Sequence, residues 1–353
     1  MLSIVICFTL LQHNSNAASD SSFVCNSNCC CSKNLAPAGI MFSHVHKKKE
    51  WMLAYNFMQM NMNGLLDGSS NISTNEVFKT YIAASTKMQM QMYMLMGMYG
   101  ISDRLTVMGM LNFNSNSMNM QMLPTAAMNM PGMEMMGSNG TMPSMMSAGF
   151  GDAQLYAMYA LLKDENSELI VTGGLNLPTG SINQKGKSDD VFYPNSNLTY
   201  MMQLGTGTLD VLPGLSYKFQ QNKFAIGTQF NSSIKTSFNS NHYRLGNIAT
   251  INIWSAYSIF KWLNPSVRVE AASVGKIHDV DASIYALNEP AANTINYGGN
   301  TLRCFVGTSF PIQLTANKAM KISAEYGLQA YQKYNGVQVP IKNVINANIN
   351  YQF

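Results

Sequence analysis

The densest concentration of chemically distinctive side chains is a run of methionines. In "KMQMQMYMLMGMYG", residues 87–100, Met88, Met90, Met92, Met94, Met96 and Met98 occupy every second position. Met58, Met60 and Met62 precede them, Met108 and Met110 follow, and 24 of the 29 methionines lie between Met41 and Met146. Upstream, "VCNSNCCCS" carries Cys25, Cys29, Cys30 and Cys31, and His44 and His46 flank Val45. Thioethers, thiolates and imidazoles are donors that select a soft ion such as Cu(I) or Ag(I). Together these residues form a candidate soft-metal set. The competing reading of the methionines is packing, because an unbranched thioether fills irregular interfaces readily. For the cysteines it is one or two disulfides in an oxidising compartment. Neither the histidines nor the cysteines have the spacing of a metal finger.

Catalytic chemistry has less support. Nucleophilic catalysis needs a base within hydrogen-bond reach of the nucleophile. His242 and His278 fall between the predicted strands, so neither shares a strand face with a serine two residues away, Ser240 before His242 included. The acidic pairs Asp189–Asp190 and Asp279/Asp281 fall in polar segments, where a solvated turn is the ordinary outcome. The expectation is a protein that is not an enzyme.

What must position the methionines is set by composition and period. Of 353 residues only 11% are charged, while 46% are hydrophobic. A soluble domain carries about 25% charged residues. Low charge with abundant Asn, Ser, Thr, Gln, Gly and Tyr suits strands that face hydrocarbon on one side and water on the other. The net charge of +4 is thinly spread, with one short run at Lys47–Lys49, and supplies no basic stripe for nucleic acid. The apolar stretch Leu2 to Leu11 and the small-x-small site at Ser15–Ala17 predict a signal peptide over 1–17. A periplasmic Cys/His-containing segment over 18–49 and a barrel over 50–353 are then expected.

Period two recurs in twelve segments, at about 50–62, 88–99, 104–113, 151–162, 168–177, 208–219, 223–235, 246–259, 263–274, 301–313, 319–330 and 344–353. From the second segment on, short connections such as "GISD", "KDENS" and "QQNK" alternate with longer ones such as 114–150 and 178–207. The expected fold is therefore all-β: a transmembrane antiparallel β-barrel of about twelve strands, with short periplasmic turns and long extracellular loops. Twelve strands spaced ~4.8 Å apart and tilted near ~40° enclose a backbone diameter of about 24 Å. A narrow channel remains inside unless loops fold inward.

The facing of each strand follows from which row suits lipid. In "EWMLAYNFMQM", Trp51, Leu53, Tyr55 and Phe57 share one side, so Met52, Ala54, Asn56, Met58 and Met60 point inward. In residues 104–113 Leu105, Val107, Leu111 and Phe113 face out, leaving Met108 and Met110 inside. Tyr93, Leu95 and Tyr99 make the better lipid row in the second segment, so its methionines face the lumen and Gln89 and Gln91 sit at the loop end. The last segment sets Ile345, Ala347, Ile349, Tyr351 and Phe353 toward lipid, against Asn346, Asn348, Asn350 and Gln352.

Several segments carry a resemblance. These are "LAPAGIMFSHVHKKKEWMLAYNFMQMNMNG", "MYGISDRLTVMGML", "GFGDAQL", "LNLPTGSI", "MQLGTGTLDVLPGLSY" and "YRLGN". They resemble a family of Gram-negative outer-membrane barrels labelled as transporters or for a meta-pathway of phenol degradation. The resemblance spans nearly all of the chain after the signal. It implies an outer-membrane location and passage of a solute, and a terminal aromatic such as Phe353 resembles the signal read by the barrel-assembly machinery. The implied partners are outer-membrane lipid, that machinery, and a small solute or metal ion. The glycines and prolines of these motifs read as architectural, with Pro213 marking a bulge. The first functional reading is an outer-membrane channel for a small solute; the alternative is a copper or silver tolerance protein using the inward methionines with the Cys and His residues.

Overall fold

The computed structural model describes residues 34–123, 145–187, 195–315 and 318–353. Twelve antiparallel strands close on themselves. They are β1 (Trp51–Asn63), β2 (Ala83–Gly100), β3 (Leu105–Met122), β4 in two pieces (Met145–Phe150 and Ala153–Lys163), β5 (Ser167–Leu177), β6 (Asp210–Gln221), β7 (Phe224–Lys235), β8 (Ile248–Tyr257), β9 (Asn264–Val274), β10 (Gly299–Thr315), β11 (Lys318–Tyr334) and β12 (Ile341–Gln352). Each pairs with its sequence neighbour, and β12 pairs with β1 from Met52↔Gln352 onward, so no edge is left unpaired. Backbone bonds between Trp51 and Phe353, N–H to O in both directions at 3.1 and 3.2 Å, finish the seam. No helix among the described residues is long and apolar enough to cross a membrane.

The alternation of solvents is visible residue by residue. Leu95 is 55% exposed while Met96 beside it is 2% exposed. Trp51, Leu53, Tyr55, Leu111, Ile349 and Phe353 are exposed, and Met52, Ala54, Asn56, Met108, Met110, Asn348 and Gln352 are buried. Every strand facing expected above holds. The outward aromatic row Phe57–Tyr93–Phe113–Phe150, with ring centroids 5.2, 6.3 and 5.6 Å apart, marks the outer edge of the lipid face. Beyond it the outward side chains are amides bonded to one another. Gln91 Nε2 donates to Gln59 Oε1 at 3.0 Å, Gln89 Nε2 to Asn61 Oδ1 at 3.2 Å, and Asn61 Nδ2 to Asn343 Oδ1 at 2.7 Å. Lateral bonding of this kind lets the strands continue past the membrane.

Two expectations need correction. The loop placed at 114–150 is shorter, because β3 runs on to Met122 and pairs with the first piece of β4 through Met118↔Met145. Its Asn/Ser/Met alternation continues the ladder without a lipid row to announce it. Pro213 makes no bulge. The β6–β7 register is the same on both sides of it, at Asn231↔Gly214 and Ile234↔Val211, and pairing lapses only between them. A proline has no N–H to give, so the ladder skips a rung rather than gaining a residue.

Candidate functional site

The lumen is not empty. Residues 34–46, expected as part of a periplasmic segment, run inside the barrel, with Leu35, Ala36, Ile40, Phe42, Val45 and His46 buried. The segment has no sheet partner, so its backbone groups must be met by side chains. The wall meets them from widely separated strands. Lys321 Nζ donates to the carbonyls of Asn34 and Ala36 at 2.9 and 2.6 Å. Gly39 N–H donates to Glu325 Oε2 at 2.7 Å, Val45 N–H to Glu168 Oε1 at 3.0 Å, and His46 N–H to Thr106 Oγ1 at 2.8 Å. Gln229 Nε2 donates to the Met41 carbonyl.

The two wall carboxylates are themselves paired, as buried ions require, Glu168 with Lys218 at 3.1 Å and Glu325 with Arg268. Arg268 forks onto both oxygens of Glu325 at 3.2 and 3.0 Å and gives its other nitrogen to Asn252 and Glu270 at 2.7 and 2.9 Å. Its guanidinium lies 3.7 Å from the Phe305 ring centroid. Glu270 is shared with Arg303. Gly39 passes so close that a Cβ there would fall 2.7 Å from the guanidinium carbon, so no other residue fits without moving the ion cluster.

The methionine rows face this inner segment and a second one. In the periplasmic half, Met52, Met96, Met98, Met108, Met110 and Met158 pack on Phe42 and Val45. In the outer half, Met62, Met88, Met118, Met120, Met122 and Met145 pack beneath Leu198, Tyr200, Met202, Tyr243, Ile277 and Ile284, which come from three outer loops. Asp281 ties those loops together. Its carboxylate accepts Asn197 and Asn241 amides at 3.0 Å each and the Ser283 N–H and hydroxyl at 2.8 and 2.6 Å, and its own N–H donates to Tyr200 OH at 3.1 Å. Burial acts to raise the Asp281 carboxyl, but those hydrogen bonds outweigh it and hold it below its usual range. The mouth is thus capped from outside and the lumen plugged from below.

The candidate metal set divides accordingly. Met88 to Met98 span ten residues, roughly 33 Å of strand, and serve two separate packing surfaces. Met58, Met60, Met90, Met92 and Met94 are half-buried between the two. The His44 and His46 rings lie 4.8 Å apart, with His44 Nδ1 2.9 Å from Asn34 Nδ2 and His46 Nδ1 3.4 Å from Glu50. Cys25, Cys29, Cys30 and Cys31 lie outside the described residues, and Cys304 is exposed on the outer wall. Among the described residues no three His, Cys, Asp or Glu side chains converge as an ion site. The arrangement is that of Met as an adaptable filler against irregular chain.

Three of the motifs that carried the resemblance meet at one place on the wall. Asp152, from "GFGDAQL", accepts the Gly180 N–H at 2.9 Å, Asn176 Nδ2 at 2.8 Å, and the Thr206 N–H and hydroxyl at 2.9 and 2.7 Å. Asp210 accepts Asn176 Nδ2 at 3.1 Å and Lys235 Nζ at 2.6 Å. A Cβ on Gly180 would sit 2.8 Å from the Gly205 Cα, so the two glycines permit a backbone crossing that side chains would block. This knot fixes the base of the loop over 178–209.

A closed twelve-strand wall, an apolar belt and an occluding inner segment can be compared with solved structures. An outer-membrane channel from Pseudomonas putida F1 superposes with a TM-score of 0.53 at 14% identity, over 88% of this chain and 97% of that one. The chain shares the fold of that structure. A Pseudomonas aeruginosa FadL homologue and the P. putida toluene transporter TodX also match, each at a TM-score of 0.41, with 9% and 10% identity over 86% and 87% of this chain and 90% of each of theirs. No protein-family model matches the sequence, and no curated protein matches it.

Sequence reasoning missed the plug's anchors. The signal available was the inward-facing charges: Lys321 and Glu325 share the inner face of β11, as Arg268 and Glu270 share that of β9. In a chain this poor in charge, inward ions four or two residues apart call for partners.

Proposed function

We propose that this protein is an outer-membrane channel of a Gram-negative bacterium that passes a small solute, and that the conformation described is its closed state. The observation that carries this reading is the nature of the occluding chain. Residues 34–46 are held by side-chain hydrogen bonds and methionine contacts and not by a strand ladder, so they leave without unzipping the wall. A purely structural barrel would have no use for a core that detaches. The lumen wall is amide- and thioether-lined, a surface suited to weak transient contacts and not to tight capture. Outer-membrane lipid surrounds the belt, and Phe353 at the closing seam is the aromatic that the assembly machinery would read.

Planar-bilayer recording tests the reading. The full-length protein should show rare, small conductance steps, and a variant lacking residues 18–46 should show larger and more frequent ones. Silence from both, with heat-modifiable barrels confirmed on gels, would remove the channel reading.

A further inference from the structure

The charges at the short-turn rim of the barrel are sorted into two halves. In one half, the chain entering β1 and the β2–β3 and β4–β5 turns hold Glu50, Asp103, Asp164, Glu165 and Glu168 among their cations. Those groups answer one another within the chain. Lys218 Nζ meets Glu168 at 3.1 Å, Lys163 Nζ donates to the Asp103 carbonyl at 2.7 Å, and the Lys48 N–H donates to the Asp103 carboxylate at 3.0 Å. Glu50 accepts the Lys47 N–H at 2.8 Å.

The other half has cations only. The β6–β7, β8–β9 and β10–β11 turns follow one another round the rim and carry the exposed Lys223, Lys261 and Lys318. No aspartate or glutamate occurs in 217–226, 255–267 or 311–322. Lysines kept only for solubility would give no reason to exclude acids from three consecutive turns.

Each of these lysines stands beside outward apolar side chains. Lys223 directly precedes Phe224, whose cross-strand partner is Tyr257, and both rings are exposed. Lys261 lies between Phe260 and Trp262, which are exposed and stack in line with Phe310, ring centroids 5.5 and 6.4 Å apart and planes within 10°. Lys318 follows the exposed Leu314. The first two turns are joined, since the Ser258 N–H donates to the Lys223 carbonyl at 2.7 Å. Outward aromatics at strand ends lie at headgroup level, and a lysine there rests its stem on apolar surface with the ammonium among the headgroups. Neighbouring turns are two strand spacings apart, roughly 12 Å along a rim of strands tilted by ~40°. That exceeds the ~8 Å screening length at physiological salt, so each turn acts as its own seat.

We propose that the short-turn rim from β6 to β11 is a docking surface for anionic phospholipid. A phosphatidylglycerol-type phosphate sits against Lys223, Lys261 or Lys318, and its acyl chains lie on the row begun by Phe224, Tyr257 and Trp262. The surface continues the lipid-facing belt downward, and its charge complements a phosphate with no cation of its own. It requires a barrel standing in a membrane and is independent of what passes through the lumen.

The test uses the full-length protein in phosphatidylcholine vesicles holding a small share of acyl-brominated phosphatidylglycerol, whose bromines quench tryptophan on contact. Trp262 lies in the proposed arc and Trp51 in the balanced half, both exposed, while Trp254 is buried. Trp51→Phe and Trp262→Phe each leave one outer-wall tryptophan. Quenching relative to acyl-brominated phosphatidylcholine gives the local enrichment of the anionic lipid. About fivefold enrichment is expected at Trp262, the weight of one lysine near a headgroup, with little at Trp51. It should shrink as salt rises and fall close to onefold in Lys223→Gln/Lys261→Gln/Lys318→Gln. Lys79→Gln/Lys185→Gln/Lys276→Gln, in the outer loops, changes the net charge equally and should leave it intact. Equal enrichment at Trp51 and Trp262, or enrichment that survives loss of the three rim lysines, assigns those lysines to solvent or to an acidic periplasmic protein and overturns the docking surface. The comparison of Trp51 with Trp262 needs no lysine variant, so it decides the matter should the triple variant fail to assemble.

Discussion

Lys321→Met is the most direct perturbation of the closed state. The substitution keeps an unbranched side chain of similar length on the inner face of β11 and removes the ammonium that donates to the Asn34 and Ala36 carbonyls at 2.9 and 2.6 Å. Both are charge-assisted bonds, each worth ~1.5–3 kcal/mol when buried, and part of that returns as hydration once the plug is out. A net loss of about 2–4 kcal/mol follows, which multiplies the ratio of unplugged to plugged barrels about 30- to 700-fold at ~1.4 kcal/mol per decade. The assay is open probability in planar bilayers, paired with maleimide labelling of a cysteine placed at Pro37, which is reachable only when the plug leaves. The same substitution in a barrel lacking residues 18–46 should change open probability far less, because the Asn34 and Ala36 carbonyls it donates to are gone. An open probability that stays at the wild-type level, or an equal effect of Lys321→Met in the truncated barrel, would refute the latch argument.

Other outcomes follow from the same structure. Asp281 holds a lowered carboxyl pKa through its loop contacts, so its contribution to the outer cap is present at neutral pH and is lost as pH falls through that lowered value, below the ordinary carboxylate range; proteolysis of the outer loops should accelerate in acid, and Asp281→Asn should flatten that dependence. Met158 is fully buried against the plug cluster; Met158→Ala should cost about 2–5 kcal/mol of unfolding free energy and Met158→Leu under about 1.5 kcal/mol, read from denaturant titration in micelles. Replacing Met88 through Met98 alternately by Leu should leave barrel assembly and copper and silver tolerance at wild-type levels, since those side chains act as packing; a loss of tolerance with intact barrels would return the soft-ion reading. Deleting Phe353 should reduce the heat-modifiable barrel recovered from outer membranes.

How much of this was legible follows from what constrains each segment. The wall was readable because lipid and water grade alternate residues independently, so Trp51 against Met52 or Leu95 against Met96 reports facing without any knowledge of neighbours. The short and long connections then fixed which end was which. The plug was not readable from its own residues. "NLAPAGIMFSHVH" has no period, and what holds it is on β3, β5, β7 and β11, more than a hundred residues away for all but Thr106. The methionines were placed on the correct face, but their purpose depends on what lies across the lumen, and that is the irregular chain. Resemblance located "GFGDAQL", "PTG" and "GTGTLD" as significant segments, while only the folded chain joins them through Asp152.

The thioether wall also bears on temperature. A methionine held against a cap or plug gives up three freely turning bonds, roughly 1.5–2 kcal/mol of rotamer entropy when fully fixed, more than isoleucine or leucine would surrender at the same place. Lifting the occluding chain returns that freedom to six buried methionines at once. Warming therefore favours the unplugged barrel more steeply than it would for a wall of branched aliphatics, and the tightness of the closed lumen becomes a quantity tuned by how floppy its lining is.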